Sequence, residues 1–281
     1  TIYRRQPVLV DRRTETKQMP PVRVLPLRYL RMFDMTIDSK LFKRRDELET
    51  AGWYPVDGNR WKKGNAEALP LYEGKMVQMY DHRAANVVVH SDNVHRAAQQ
   101  EPVGPEQHQN PKFSPTPQFF VYRSDIDKVE KSDWAIAFKL ITAPTNMRTM
   151  ISAILPKCAI GNSMGMLLPE AEDRKAYAEW APLLQANIAS FALDYCLRQK
   201  VQGQNINWYM VEQLPLIRPE QFDGKLGKNK IADFVRGEVL RLSYTAWDLQ
   251  PFARDLGYEG DPFQWDEEDR RHRMARLDAL F

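Results

Sequence analysis

Several things are scarce in this chain, and each scarcity excludes something. Two cysteines, Cys158 and Cys196, stand among 281 residues. That is too few for a disulfide framework or a four-cysteine zinc site, so a reducing, cytoplasmic setting is expected. No run of about 18 apolar residues occurs, so no membrane-spanning helix is expected. A Walker loop, a dinucleotide fingerprint and a nucleophile elbow are all missing. The chain starts at Thr1, in a basic stretch with no apolar secretory segment. Without an initiator Met, it reads as beginning inside a longer polypeptide. The last helical pattern runs to Phe281 without a stop, which suggests a cut at that end too.

What is present is the profile of a folded protein: 43% hydrophobic, 27% charged and 11% aromatic residues. The length allows a sizeable core, in one large domain or two modest ones. Net charge is only +3, but it is uneven. Residues 1–63 hold fifteen Lys and Arg against eight acids, a local charge of +7, whereas the last sixty residues lean acidic. A basic end fits a polyanion partner such as nucleic acid, and fits a solvated Arg-rich surface as well.

Short strands broken by proline are expected around Val22–Leu25 and Tyr29–Phe33. A short capped helix should follow Asp38 and stop at Gly52. Asp57-Gly58-Asn59, between aromatic-bearing segments, signals a hairpin. Residues 69–89 are apolar without a clear period. Residues 92–118 read as a long polar loop punctuated by five prolines. Phe119–Tyr122, Trp134–Leu140 and Arg148–Leu155 read as strands. The strongest helical pattern spans 170–200, with Tyr177, Trp180, Leu184, Ile188, Phe191 and Tyr195 on one face and Gly203 placed as a left-handed cap. Two further helical stretches cover 231–249 and 266–281.

Residue type and spacing suggest four chemistries. Asp57, Glu73 and Lys75 could serve a metal-dependent nuclease, which needs paired carboxylates and a Lys near the attacking water; Asp57 also suits its turn for conformational reasons alone. Asn110-Pro111-Lys112-Phe113 approaches the (Asp/Asn/Ser)-Pro-Pro-aromatic motif of amino-methyltransferases, but Lys replaces the second proline and no cofactor-binding strand–turn–helix precedes it. His82, His90, His95 and His108 lie in one region, with no cysteine to complete a zinc site. The stretch Arg198-Gln199-Lys200-Val201-Gln202-Gly203-Gln204-Asn205-Ile206-Asn207-Trp208-Tyr209 mixes amides and cations with aromatics. Gln and Asn read adenine edges, Arg reads guanine and Lys holds phosphate; the same amides equally fill turns and caps.

One family pattern runs through most of the chain. Leu69-Pro70-Leu71-Tyr72-Glu73-Gly74-Lys75-Met76, followed by Tyr80-Asp81-His82-Arg83, resembles a block of large bacterial adenine-specific DNA methyltransferases. These are the type II restriction–modification enzymes that carry methylase and recognition regions in one chain, and their relatives in BREX and DISARM phage defence. Asp38-Ser39-Lys40-Leu41-Phe42 and Gly52-Trp53 precede that block. Arg148-Thr149, Ile154-Leu155-Pro156 and Gly161-Asn162 follow it. Then come Asn187, Ser190-Phe191, Asp194-Tyr195, Arg198-Gln199-Lys200, Gly203 and Gln213-Leu214-Pro215. Leu242, Tyr244-Thr245-Ala246 and Leu277-Asp278-Ala279 complete the series. In that family the cofactor-binding and catalytic motifs lie N-terminal to these blocks.

The resemblance therefore implies the C-terminal target-recognition part of such an enzyme. S-adenosylmethionine would serve the full-length enzyme and not this part. The implied partners are double-stranded DNA, the catalytic half of the same polypeptide and other defence-system subunits. It implies DNA-binding roles for Lys75, His82, Arg83, Arg148, Asn162, Arg198, Gln199, Asn205 and Asn207. It also turns Glu73 and Lys75 toward an ion pair or a phosphate contact. The expected fold is α+β, with a strand-rich lobe over 1–168 packed on a mainly helical part over 169–281. The competing readings are a metal-dependent nuclease module and a protein-docking scaffold.

Overall fold

The computed structural model describes residues 2–89, 98–170 and 173–281, and its fold is α+β. A four-stranded antiparallel sheet lies at its centre, in the order Ser152–Pro156, Trp134–Lys139, Met164–Pro169, Leu27–Leu30. Alternate side chains of the strand Trp134–Lys139 point to opposite faces, and every residue of it is buried. Ile136 and Phe138 join one apolar cluster, while Ala135 and Ala137 join another. The sheet thus divides two cores. On one side it meets the helix Arg174–Ala189, behind which the helix Ile231–Ser243 packs. On the other it meets a second sheet built around Ala66–Tyr72.

The second sheet runs Ala159–Ile160, Ala66–Tyr72, Arg60–Lys63, Tyr54–Val56, with Phe120–Tyr122 also paired to Ala66–Tyr72. Its hairpin turns at Asp57-Gly58-Asn59, where φ is 74° at Gly58 and 52° at Asn59. Those are the left-handed values that Gly and Asn tolerate best. The helix expected after Asp38 is interrupted. Ser39–Leu41 is a single 3-10 turn with no side-chain cap from Asp38, and Lys43 bridges to Phe120. The helix proper is Arg45–Thr50, which does stop at Gly52, whose φ is 79°. The larger core links Leu27, Phe138 and Leu167 to Trp180, Val239 and Leu277. The strand-rich and helical parts therefore share one interior across residue 168.

Further expectations need correction. The strand expected over Arg148–Leu155 begins only at Ser152. The helical pattern over 170–200 is two helices, Arg174–Ala189 and Phe191–Arg198. Ser190 is extended (φ −69°, ψ 150°) and its hydroxyl accepts from the Leu193 amide, so it caps the second helix instead of continuing the first. Gly203 does not take the left-handed conformation expected of a cap. Within 92–118, Gln99–Pro102 pairs as a strand with Ala85–Val88, and Pro105–Gln109 is a short helix with Pro at its first turn. Among the described residues, no helix is long and apolar enough to cross a membrane.

The basic N-terminal stretch is less of a free patch than its charge suggests. Arg12 pairs with Glu212 and Glu15, Arg13 with Asp11, Arg23 with Glu170, Arg28 with Glu130 and Arg45 with Glu49. Arg4, Arg5, Lys17, Arg31 and Lys40 form no ion pair with a described residue, and Lys43, Arg60 and Lys63 donate only to backbone carbonyls. A partner must therefore be sought in local geometry, not in net charge.

Candidate nucleic-acid interface

Three of the nine proposed contact residues meet in one place. Asn162, Asn205 and Asn207 line an open groove of about 430 Å³, together with Tyr29, Arg31, Ile141 and Trp208. The backbone explains why they meet. Beyond the strand Trp134–Lys139 the chain is stitched to the segment after the helix Phe191–Arg198. The Thr142 amide donates to Gln204 O at 2.9 Å, and the Ile206 amide donates to Leu140 O at 2.8 Å. Ile206 turns inward and is buried, so its neighbours Asn205 and Asn207 turn outward.

The groove wall is aromatic. Tyr29 and Trp208 stack at 4.6 Å between ring centres and 5° between planes. Gly165 makes room for this arrangement, since a Cβ there would stand 2.4 Å from Tyr29 Cε2. Burial raises the Tyr29 phenol above its ordinary range, against the opposing pull of Arg31, so the ring stays neutral. Asn162 donates one hydrogen bond, to Asp34 Oδ2 at 2.9 Å. The Asn205 and Asn207 side chains have no hydrogen-bond partner among the described residues, and both are exposed. An amide in that state can offer a donor and an acceptor side by side to a base edge.

Beside the groove, residues 141–149 form a loop held shut at its neck. Thr142 Oγ1 donates to Thr149 O at 2.9 Å. Arg198 lies under the tip, donating to the carbonyls of Pro144 (3.0 Å), Asn146 (2.6 Å) and Met147 (2.6 Å). Its Nε donates to Asp194 Oδ2, while Asp194 Oδ1 accepts the Thr149 and Met150 amides, each bond being 2.7 Å. Arg148 donates to Ala189 O, pairs with Asp278 at 2.5 Å and stacks on Phe191.

The remaining positions have other work. Arg148 and Arg198 brace the loop, so they support it and do not reach outward. Lys75 is committed to Glu73 and to Ala98 O, both at 3.0 Å. Gln199 is exposed at the end of its helix but does not line the groove. His82 and Arg83 correct the expectation outright, because both are buried and have no surface to give a duplex. His82 Nε2 meets Asp248 at 2.9 Å. Arg83 donates to the carbonyls of His108, Asn110, Phe113 and Thr245.

Around them lies a buried polar junction. His108 meets Asp81 at 3.1 Å and stacks on Trp265, and the Arg270 guanidinium lies 3.7 Å from the Trp265 ring centre. Burial works to raise the Asp81 carboxyl, but His108 and then Arg270 outweigh it and hold it below the usual range. The Asp248 carboxyl is also lowered, burial being overcome by His82 and Arg83. Burial brings the Arg270 guanidinium down to about 10. This junction ties residues 81–83 and 108–113 to the C-terminal helices.

The other candidate chemistries are not assembled. Asp57 is exposed in its turn, and Glu73 faces Lys75. Asn110 Oδ1 accepts from the Lys112 amide, which is turn chemistry. His90 and His95 lie outside the described residues. Among the described residues, no three His, Cys, Asp or Glu side chains form a group that could hold a metal. Two larger clefts, of about 920 and 530 Å³, contain none of the nine proposed residues.

The sequence reading missed Arg31, Tyr29, Ile141 and Met147. The Tyr29–Trp208 stack joins residues far apart in the chain, which no local pattern announces. Comparison with protein-family models, with curated proteins and with solved structures gives no match.

Proposed function

We propose that this chain is the DNA target-recognition part of an S-adenosylmethionine-dependent, adenine-specific DNA methyltransferase of a restriction–modification or phage-defence system. In this reading the catalytic and cofactor-binding motifs belong to another part of the same protein. The ordered sequence blocks suggest the family, and one observation carries the recognition role. Asn205 and Asn207 present unpartnered amides in the same groove as Asn162, between an aromatic wall and Arg31. A single side-chain amide can read adenine by accepting from N6 and donating to N7, and an exposed guanidinium at the rim can hold phosphate or guanine. S-adenosylmethionine supplies the methyl group in the complete enzyme. This chain selects the site and holds the duplex while the target base leaves the stack.

The test is selection of duplexes from a randomised pool by the purified chain. A short enriched sequence is expected. Asn207→Ala should relax the preference at one position, at a cost of about 1–3 kcal/mol for that base pair. Binding with no enriched sequence in either protein would contradict a recognition role.

A further inference from the structure

The loop over 141–149 combines two features that seldom occur together. It is braced from below, and its tip carries an apolar side chain left in water. Met147 is 88% exposed and Ile141 58% exposed. Exposed methionine on a floppy loop needs no explanation. Here, however, the neck is closed by Thr142 and Thr149, and Arg198 spends two of its nitrogens on the carbonyls of Pro144, Asn146 and Met147. Asp194 in turn fixes Arg198 and the amides of Thr149 and Met150. The loop is therefore ordered before any partner arrives, which lowers the entropy cost of using it. Arg198 and Arg148 also turn their charge inward, so the tip is kept apolar and not basic.

The chemistry of the loop narrows the occupant. Residues 141–147 read Ile-Thr-Ala-Pro-Thr-Asn-Met, with no acidic side chain. Ile141 itself lines the amide-bearing groove and pairs through its backbone with Asn205. On one side of the loop, then, are amides, an aromatic stack and the unpaired Arg31. A polyanion with stacked, flat, apolar faces fits this combination. Proteins that deform duplexes drive Met, Ile, Leu, Phe or Pro side chains between base steps while polar groups hold the flanking edges and phosphates.

We infer that the 141–147 loop is a wedge for duplex DNA: Met147 inserts at a base step and unstacks it, Ile141 packs beside it, and Asn205 and Asn207 hold the adjoining edges. The inference rests on the DNA-recognition reading and extends it from selecting a sequence to deforming it. Unstacking a step costs a few kcal/mol and is cheapest at flexible pyrimidine–purine steps. The wedge would thereby add selectivity at a step that no amide reads, and would prepare the duplex for base flipping.

The experiment uses short duplexes in which 2-aminopurine replaces each adenine in turn. Two signals are followed with the whole chain: anisotropy of an end label for binding, and 2-aminopurine fluorescence for unstacking. The wild-type chain should raise the fluorescence several-fold at one step. Met147→Ala should abolish that rise while its anisotropy titration moves by no more than about tenfold; each 1.4 kcal/mol is one factor of ten. Met147→Leu should restore the rise, since only apolar bulk is required. Because Met147 is exposed, neither change endangers the fold. Binding by the wild type with no rise at any position, or a rise that survives in Met147→Ala, would overturn the wedge while leaving recognition intact. No binding at all would overturn both.

Discussion

Replacing Arg83 by Met is expected to destabilise the protein by about 3–5 kcal/mol, the range found when one partner is removed from a buried charged network. The side chain is fully buried. Its nitrogens satisfy the carbonyls of His108, Asn110, Phe113 and Thr245, and also the Thr245 hydroxyl. Without the guanidinium those carbonyls lose their donor inside the protein, and Asp81 and Asp248 lose a neighbouring positive charge. Lys should not rescue, because one ammonium cannot span both the 108–113 segment and Thr245. Urea unfolding measures the loss directly. A cost under about 1 kcal/mol would show that these hydrogen bonds contribute little to stability.

The second large effect has the opposite sign. Lys139 ends the central strand and is 9% exposed, and its ammonium makes no hydrogen bond or ion pair with a described residue. Burial pulls its amine down to about 8 from an ordinary 10.5. The unfolded chain thus binds a proton more tightly than the folded one, and the charged amine destabilises the fold at every pH below about 8. Stability should rise as pH goes from 8 to 10.5, where the folded state alone has lost the proton. Lys139→Met should therefore stabilise the protein by about 2–3 kcal/mol at pH 7. Its advantage should shrink across that alkaline window and vanish above it. A variant less stable than the wild type at pH 7 would mean that the ammonium has a partner or that Met cannot pack there.

The parts legible in the sequence are those fixed by local chemistry. Asp57-Gly58-Asn59 announced its turn because few residues accept left-handed backbone. Gly52 announced a helix stop for the same reason. Trp134 to Lys139 reads as a strand because Trp134, Ile136 and Phe138 recur at every second position of an apolar run, and alanines fill the positions between them because the strand is buried on both faces. Ser190 was overlooked because the apolar spacing carries through it, and only its extended backbone reveals two helices. The site was legible in part. Asn162, Asn205 and Asn207 were named from residue type and resemblance, and they share a groove. Arg83 and His82 were named on the same grounds and are interior. Charge does not say which way a side chain points; that is decided by Asp248 and by carbonyls distant in sequence. Met147 was invisible for a different reason: an exposed Met is unremarkable until Arg198 is seen holding its loop.

If the chain reads DNA as proposed, it engages the duplex through its own surface and needs no divalent ion to do so. Fluorescence anisotropy of a labelled duplex, with EDTA present and at two salt concentrations, tests it most directly. The account predicts binding that weakens steeply with salt, as release of counterions from contacted phosphates requires, and that Arg31→Ala lessens. Absence of binding at low salt, or binding indifferent to salt and to Arg31, would contradict it.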